Sequence, residues 1–265
     1  MTRMLRRTVM TVALPIVLLS IWWFASAGSE SFYFPPLSKI VSAFPGTWLK
    51  GDGGTPPGIV RDVLPSLGRL AAGYASAAVL GIGLGLLIGR SRTLRAIVEP
   101  VLEIFRAIPP PAMVPLLMVL AGIDNTMKIL VIIFGCVWPI LLNTVEGVRA
   151  VDPVLADTCR TYGVRGTARL RSLVLRSASP QIMTGMRQAL AVAIILMVIS
   201  EMFAAKDGIG YRLVEFQRTF AVAEMWTAII VLGLLGVILA LLFRLAENRI
   251  LAWYKGLRRA QRSAS

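Results

Sequence analysis

Glu103, Arg106, Arg187 and Glu201 are charged residues inside stretches of this chain that are otherwise strongly apolar. A charge there is costly, so each needs a counter-ion, a path to the interface or an aqueous cavity. Arg106 or Arg187 facing a cavity would favour an anion. Glu103 and Arg106 are three residues apart and can equally pair on one helix face, while Arg187 can extend its head to an interface. Asn143 and Trp138 add weaker polar handles. Other chemistries are excluded. The 265 residues include no histidine, which removes His-based triads and the common zinc sites, so no catalytic residue and no metal ligand is assigned. There is no P-loop pattern, and the stretch from Gly81 to Gly85 lacks the preceding strand and the spacing of a dinucleotide loop, so no cofactor is implied. Cys136 falls in an apolar run and Cys159 in a polar one, too far apart in kind to form a disulfide.

The elements that would carry these residues are membrane helices. The chain is 56% hydrophobic with a mean hydropathy of +0.73, and a spanning helix needs about 20 mainly apolar residues. Six runs qualify: residues 8–27, 67–89, 96–121, 127–148, 181–205 and 224–245. A soluble helical protein would instead show polar faces throughout. The third run contains Pro109, Pro110, Pro111 and Pro115, which remove backbone donors and must bend or break it. Broken membrane helices persist where they line a cavity or are buried in protein. Pro109 and Pro110 are therefore candidates for a pathway or gate, with a fixed packing kink equally consistent. In the second run Gly73, Ala77, Gly81, Gly85 and Gly89 recur every four residues, a stripe that lets another backbone approach closely. Packing within the chain is favoured over a dimer seam.

Outside these runs, residues 28–65 are rich in Pro and Gly and predict a surface hairpin or a short amphipathic helix near residues 40–49. The division expected is 1–66 as a first span with an external segment, 67–250 as a core, and 251–265 as a basic tail. Arg6-Arg7, an apolar stretch and Ala25-Ser26-Ala27 imitate a secretory signal. Trp22-Trp23 read instead as interfacial anchors of a retained span.

Charge placement sets the orientation. With six spans and the N-terminus inside, most of the 28 Lys and Arg residues fall on the cytoplasmic side: Arg3, Arg6 and Arg7, then Arg90, Arg92 and Arg95, then the run from Arg149 to Arg176, and finally the tail. The positive-inside rule therefore places both termini in the cytoplasm of a plasma membrane protein. The net charge of +14 is spread over the loops of one face, which argues for anionic membrane lipid as partner and against nucleic acid.

The most distinctive segment is the polar island from Val151 to Pro180. Asp152 can cap a first helix, with Pro153 at its first position and Gly163 past its end. Leu155, Cys159 and Tyr162 then share one face, bordered by Thr158. A second helix is predicted from about Thr167, with Leu170, Leu173 and Val174 on one side, and Pro180 is expected to break it.

This island resembles the EAA loop of the permease subunits of ABC importers, whose usual form is E-A-A, a glycine four residues on, and a later L-P. Asp157 stands for the glutamate, Thr158 and Cys159 for the alanines, Gly163 for the glycine, and Arg176 follows Leu175 where a proline is usual. Further motifs resemble the nitrate, sulfonate and taurine branch: Glu99-Pro100, Phe105 to Pro110, Trp138 to Thr144, Val148-Arg149 and Asp207 to Tyr211. The likeness runs over about residues 60–250. It implies an all-α permease that couples through Asp157, Thr158, Cys159, Arg160, Gly163 and Pro180 to separate ABC ATPase subunits. It also implies a solute delivered by an external binding protein and a homodimer; the pathway candidates, read from the residues themselves, are Arg106, Pro109, Pro110, Trp138, Asn143 and Glu201. The alternatives are an ATP-independent secondary transporter or channel, which would often show an inverted repeat not seen here, and a membrane scaffold.

Overall fold

The computed structural model describes residues 2–51, 54–203 and 205–256, with side chains from residue 13 onward. The side chains of Arg3, Arg6 and Arg7 and the basic tail beyond Gly256 lie outside the described residues. The elements are all helical: α1 (Thr2–Ser26), α2 (Leu37–Phe44), α3 (Ile59–Arg90), α4 (Arg92–Ala107), α5 (Pro110–Ala121), α6 (Asn125–Arg149), α7 (Pro153–Thr161), α8 (Gly166–Phe203), α9 (Ile209–Arg218) and α10 (Val222–Ile250). Four of them, α3, α6, α8 and α10, are long and apolar enough to cross a membrane. The α4–α5 pair makes a fifth if taken as one span, and residues Ala13–Ser26 of α1 form a shorter apolar helix.

The chain divides into two compact units, one of Met1–Pro65 with Asp207–Gly233 and one of Ser66–Lys206 with Leu234–Ser265. In the first, the Pro- and Gly-rich segment that follows α1 is held by partners far along the chain. Trp48, fully buried, donates its indole N–H to Thr227 Oγ1 at 2.8 Å. Asp62, 1% exposed, accepts from Arg61 Nε at 3.1 Å, from Arg212 Nε at 2.8 Å and from the backbone N–H of Gly208 at 3.3 Å. Burial alone would lower the pKa of Arg212, but its bonds to Asp62 and Glu215 outweigh that and push it above its ordinary value. Trp22 and Phe34 both pack on Trp226, at ring separations of 5.8 and 5.2 Å.

The second unit is built on two close helix pairs. The glycine stripe of α3 lies against α6, at a separation no larger residue would permit. A Cβ added at Gly73 would fall 2.7 Å from Ile132 Cβ, at Gly81 2.9 Å from Ile140 Cβ, at Gly85 2.5 Å from Thr144 Cβ, and at Gly89 2.8 Å from Val148 Cβ. Both residue series rise together, so the two helices run parallel. The stripe therefore packs within the chain, the reading favoured from the sequence. Helix α8 runs antiparallel to α6, with Gly185 against Pro139 and Asn143 and Gly147 against Ala178 and Gln181.

Two prolines behave differently. The run at Pro109–Pro111 breaks its helix, and α4 and α5 meet at 83°. Pro180 does not: contrary to the sequence expectation, α8 continues unbroken through it. The backbone bond that Pro180 cannot make is replaced locally, since the Arg176 carbonyl accepts from Ser179 Oγ at 2.8 Å. Flanking Ala178 and Ile182 are buried, at 0% and 7% exposure, in a cluster with Val148 and Val174 that holds the segment straight. The span predicted to start at residue 181 consequently begins at Gly166, with a π turn at Leu170–Val174.

Candidate functional site: a capped helix with an exposed apolar face

Helix α7 is fixed by its own ends. Asp152 caps it, its carboxylate accepting from the Val154 N–H at 2.8 Å, and Pro153 occupies the first turn where no donor is needed. At the other end the Tyr162 N–H donates to the Thr158 carbonyl, the Gly163 N–H to Arg160 and the Val164 N–H to Cys159, at 3.0, 3.1 and 2.8 Å. Gly163 takes φ +68°, where a Cβ would be strained. Asp157 and Arg160 pair at 3.0 Å, and Thr158 Oγ1 donates to the Val154 carbonyl at 2.8 Å. So Asp157, Thr158 and Arg160 are engaged within α7 itself, while its apolar side chains are left out. Val154 is 71% exposed, Leu155 49% and Tyr162 81%, with Cys159 half-buried between them. Helix α7 is thus closed at both ends and carries uncovered apolar surface, the kind of face that partner helices use.

The residues proposed from the sequence for a pathway do not form one constellation. Arg106 pairs with Glu103 at 2.7 Å on the exposed face of α4. Pro109 and Pro110 form the α4–α5 break, and Pro110 approaches Gly135 of α6. Trp138 stacks on Phe105, with ring centroids 6.3 Å apart, and its buried Nε1 has no hydrogen-bond partner among the described residues. Asn143 accepts from Gln181 Nε2 at 3.0 Å and donates to Gln188 Oε1 at 3.1 Å, so it ties α6 to α8. Arg187 pairs with Glu247.

Glu201 is fully buried, and its carboxylate accepts from Arg69 Nη1 at 2.7 Å and from Ser66 Oγ at 2.8 and 2.9 Å. Arg69 in turn donates through Nε to Asn125 Oδ1 at 2.7 Å, so α3, α6 and α8 share one polar knot. Ser66 and Arg69, like Asp62 and Arg212, were not singled out by the sequence reading. Arg69 lies within an apolar run just as Glu201 does, and that intramembrane charge was the available signal.

The model of the binding-protein-dependent transport system inner membrane component family matches residues 79–252, which include all of α7 and α8. The chain belongs to this family. It is therefore the membrane permease component of an ABC importer and not an enzyme itself, ATP hydrolysis residing in a separate subunit. The permease is 31% identical over 195 residues to a probable ABC transporter permease of Brucella melitensis, covering 74% of this chain and 79% of that one. It is 27% identical to the taurine transport system permease of Escherichia coli, over 94% of this chain and 91% of the relative. It is 32% identical to the bicarbonate transport system permease of Synechococcus elongatus, over 76% and 70%. Among solved structures, a chain of the inward-facing MetNI methionine ABC transporter aligns with a TM-score of 0.62 at 22% identity, over 73% of the permease and 94% of that chain. The fold is thus that of an importer permease, and the ATP-independent alternatives give way.

Proposed function

We propose that the permease forms a homodimeric pathway for a small oxyanion such as a sulfonate, taurine, nitrate or a similar solute, and that α7 is the element through which the ATPase drives it. In support, relatives over most of the chain are named as permeases for aliphatic sulfonates, taurine, nitrate and bicarbonate. The single observation that carries the coupling role is the uncovered apolar face of the capped helix α7. In this reading α7 and both termini face the cytoplasm, α1 supplies the sixth span, and anionic lipid surrounds the basic loops. Asp157, Thr158, Cys159, Arg160 and Gly163 shape the docking helix, while Pro180 lies on the rigid rod that leads from it into the membrane. Closure of the ATPase pair would then tilt α8 and expose the pathway alternately to the two sides; ATP can bias those two states only by interacting differently with each. Arg106, Pro109, Pro110, Trp138, Asn143 and Glu201 remain the proposed pathway residues, with Glu201 acting from its knot at the C-terminal end of α8.

The test is affinity purification of the tagged permease from its native membrane, with and without Gly163→Pro. The substitution removes the Gly163 N–H donor and cannot adopt φ +68°. An ATPase that accompanies the intact chain and is lost with the variant is expected. An ATPase retained equally by the variant overturns the coupling role of α7.

A further inference from the structure

Beside α7 lies a cavity of about 700 Å³ whose charged lining is entirely basic: Arg90, Arg92, Arg95, Arg149 and Arg169. It sits where α3 and α6 end and α8 begins, and its apolar wall includes Leu173 and Val174, 6% and 8% exposed. The carboxylates nearest in sequence offset only two of these charges. Glu146 holds Arg149 at 2.6 Å and Glu99 stands 3.8 Å from Arg95, but neither glutamate lines the cavity. Arg90 and Arg92 have no carboxylate within ion-pair distance among the described residues. Arg169 adds a second, independent sign, since its Nε is buried with no hydrogen-bond partner among those residues. A buried donor left unpaired is costly, and Arg90, Arg92 and Arg169 line the cavity with no carboxylate within ion-pair distance among the described residues, so the arrangement fits an acceptor of negative charge.

We propose that this cavity seats the phosphate of an anionic phospholipid headgroup. Guanidinium is the side chain best matched to phosphate, through paired N–H donors in one plane. Basic pockets between the cytoplasmic ends of spans are the recognised setting for such headgroups. The apolar wall favours a lipid over a soluble phosphate, because a headgroup enters from the interface with its glycerol and first methylenes against Leu173 and Val174. A headgroup here would touch the C-terminal ends of α3 and α6 and the first turns of α8 at once, next to the docking helix. Occupancy would therefore stiffen the joint between α7 and the membrane. This assignment rests on α7 being the coupling element, but its test does not: nanodiscs carry the same lipid in both leaflets, so orientation and ATPase docking leave the result unaltered.

The purified full-length permease is placed in phosphatidylcholine nanodiscs with and without phosphatidylglycerol. Retained lipid is measured by native mass spectrometry, and Tm with each lipid and with inorganic phosphate. The wild type is expected to retain phosphatidylglycerol over phosphatidylcholine and to gain Tm from it. Arg90→Gln with Arg92→Gln, both at exposed positions, should reduce that preference by roughly fivefold per arginine removed. Arg169→Gln should reduce it further. Arg171→Gln with Arg176→Gln removes equal charge from exposed positions outside the cavity and should leave the preference intact. The proposal is overturned if the Arg90 and Arg92 pair keeps the wild-type preference, or if the Arg171 and Arg176 pair loses as much. It is also overturned if inorganic phosphate raises Tm as far as phosphatidylglycerol does, which would make the cavity a soluble-anion site.

Discussion

The seam between α3 and α6 and the capped helix α7 lie in the same unit and follow opposite rules. Along the seam nothing is spare: Gly73, Gly81, Gly85 and Gly89 leave no room for a Cβ, and Ala77, Ile132 and Ile140 are fully buried. On α7 the polar groups are satisfied internally and the apolar ones are uncovered. Burial of small residues holds the membrane part together, where hydrocarbon offers no hydrophobic drive and close backbone contact must supply the attraction. Exposure of apolar residues on a capped helix is, in the proposed reading, surface kept for a partner. A substitution should therefore damage either folding or coupling according to which rule it breaks.

The largest effect is expected at the knot that anchors the seam. Glu201→Ala leaves Arg69 buried without its carboxylate and should cost about 3–5 kcal/mol, read as loss of monodisperse protein in detergent. The paired replacement Arg69→Met with Glu201→Leu should recover much of that, because both buried charges go together. Next comes Gly85→Ala, whose added Cβ would meet Thr144 Cβ at 2.5 Å. Overpacking there should cost about 1–3 kcal/mol in thermal unfolding of the purified permease. Smallest in stability, and the one that sharpens the contrast, is Leu155→Ser on α7. At this half-exposed site it should stay within about 0.5 kcal/mol of wild type while sharply lowering the amount of ATPase that copurifies. If Leu155→Ser instead unfolds the protein as Gly85→Ala does, the distinction between the two regions fails.

The sequence was informative where the physics is local. Asp152 and Gly163 announce the ends of α7 because capping is settled within a few residues. The four-residue stripe announces a close helix contact, and the Pro109–Pro111 run announces the bend. Pro180 misled, because its helix is kept by a hydroxyl one residue before it and by packing from α6, neither of which is legible in a proline. Partners distant in sequence were hidden as well. Asp62 meets Arg212 and Ser66 meets Glu201 across more than a hundred residues, and periodicity does not say which helices are neighbours. For the same reason periodicity does not announce that residues 207–233 group with the N-terminal segment in one compact unit.

The central claim, that α7 meets an ATPase on the cytoplasmic side, is tested most directly through a residue the chain already has. Cys159 is half-buried on α7, whereas Cys136 is fully buried in α6, so a thiol-reactive photocrosslinker added to inside-out membrane vesicles will label Cys159 selectively. Illumination is predicted to join the permease to an ABC ATPase identified by mass spectrometry, with the product absent in Cys159→Ser. A crosslink to lipid alone, or labelling of Cys159 from the external face of intact cells by a membrane-impermeant reagent, would contradict the account.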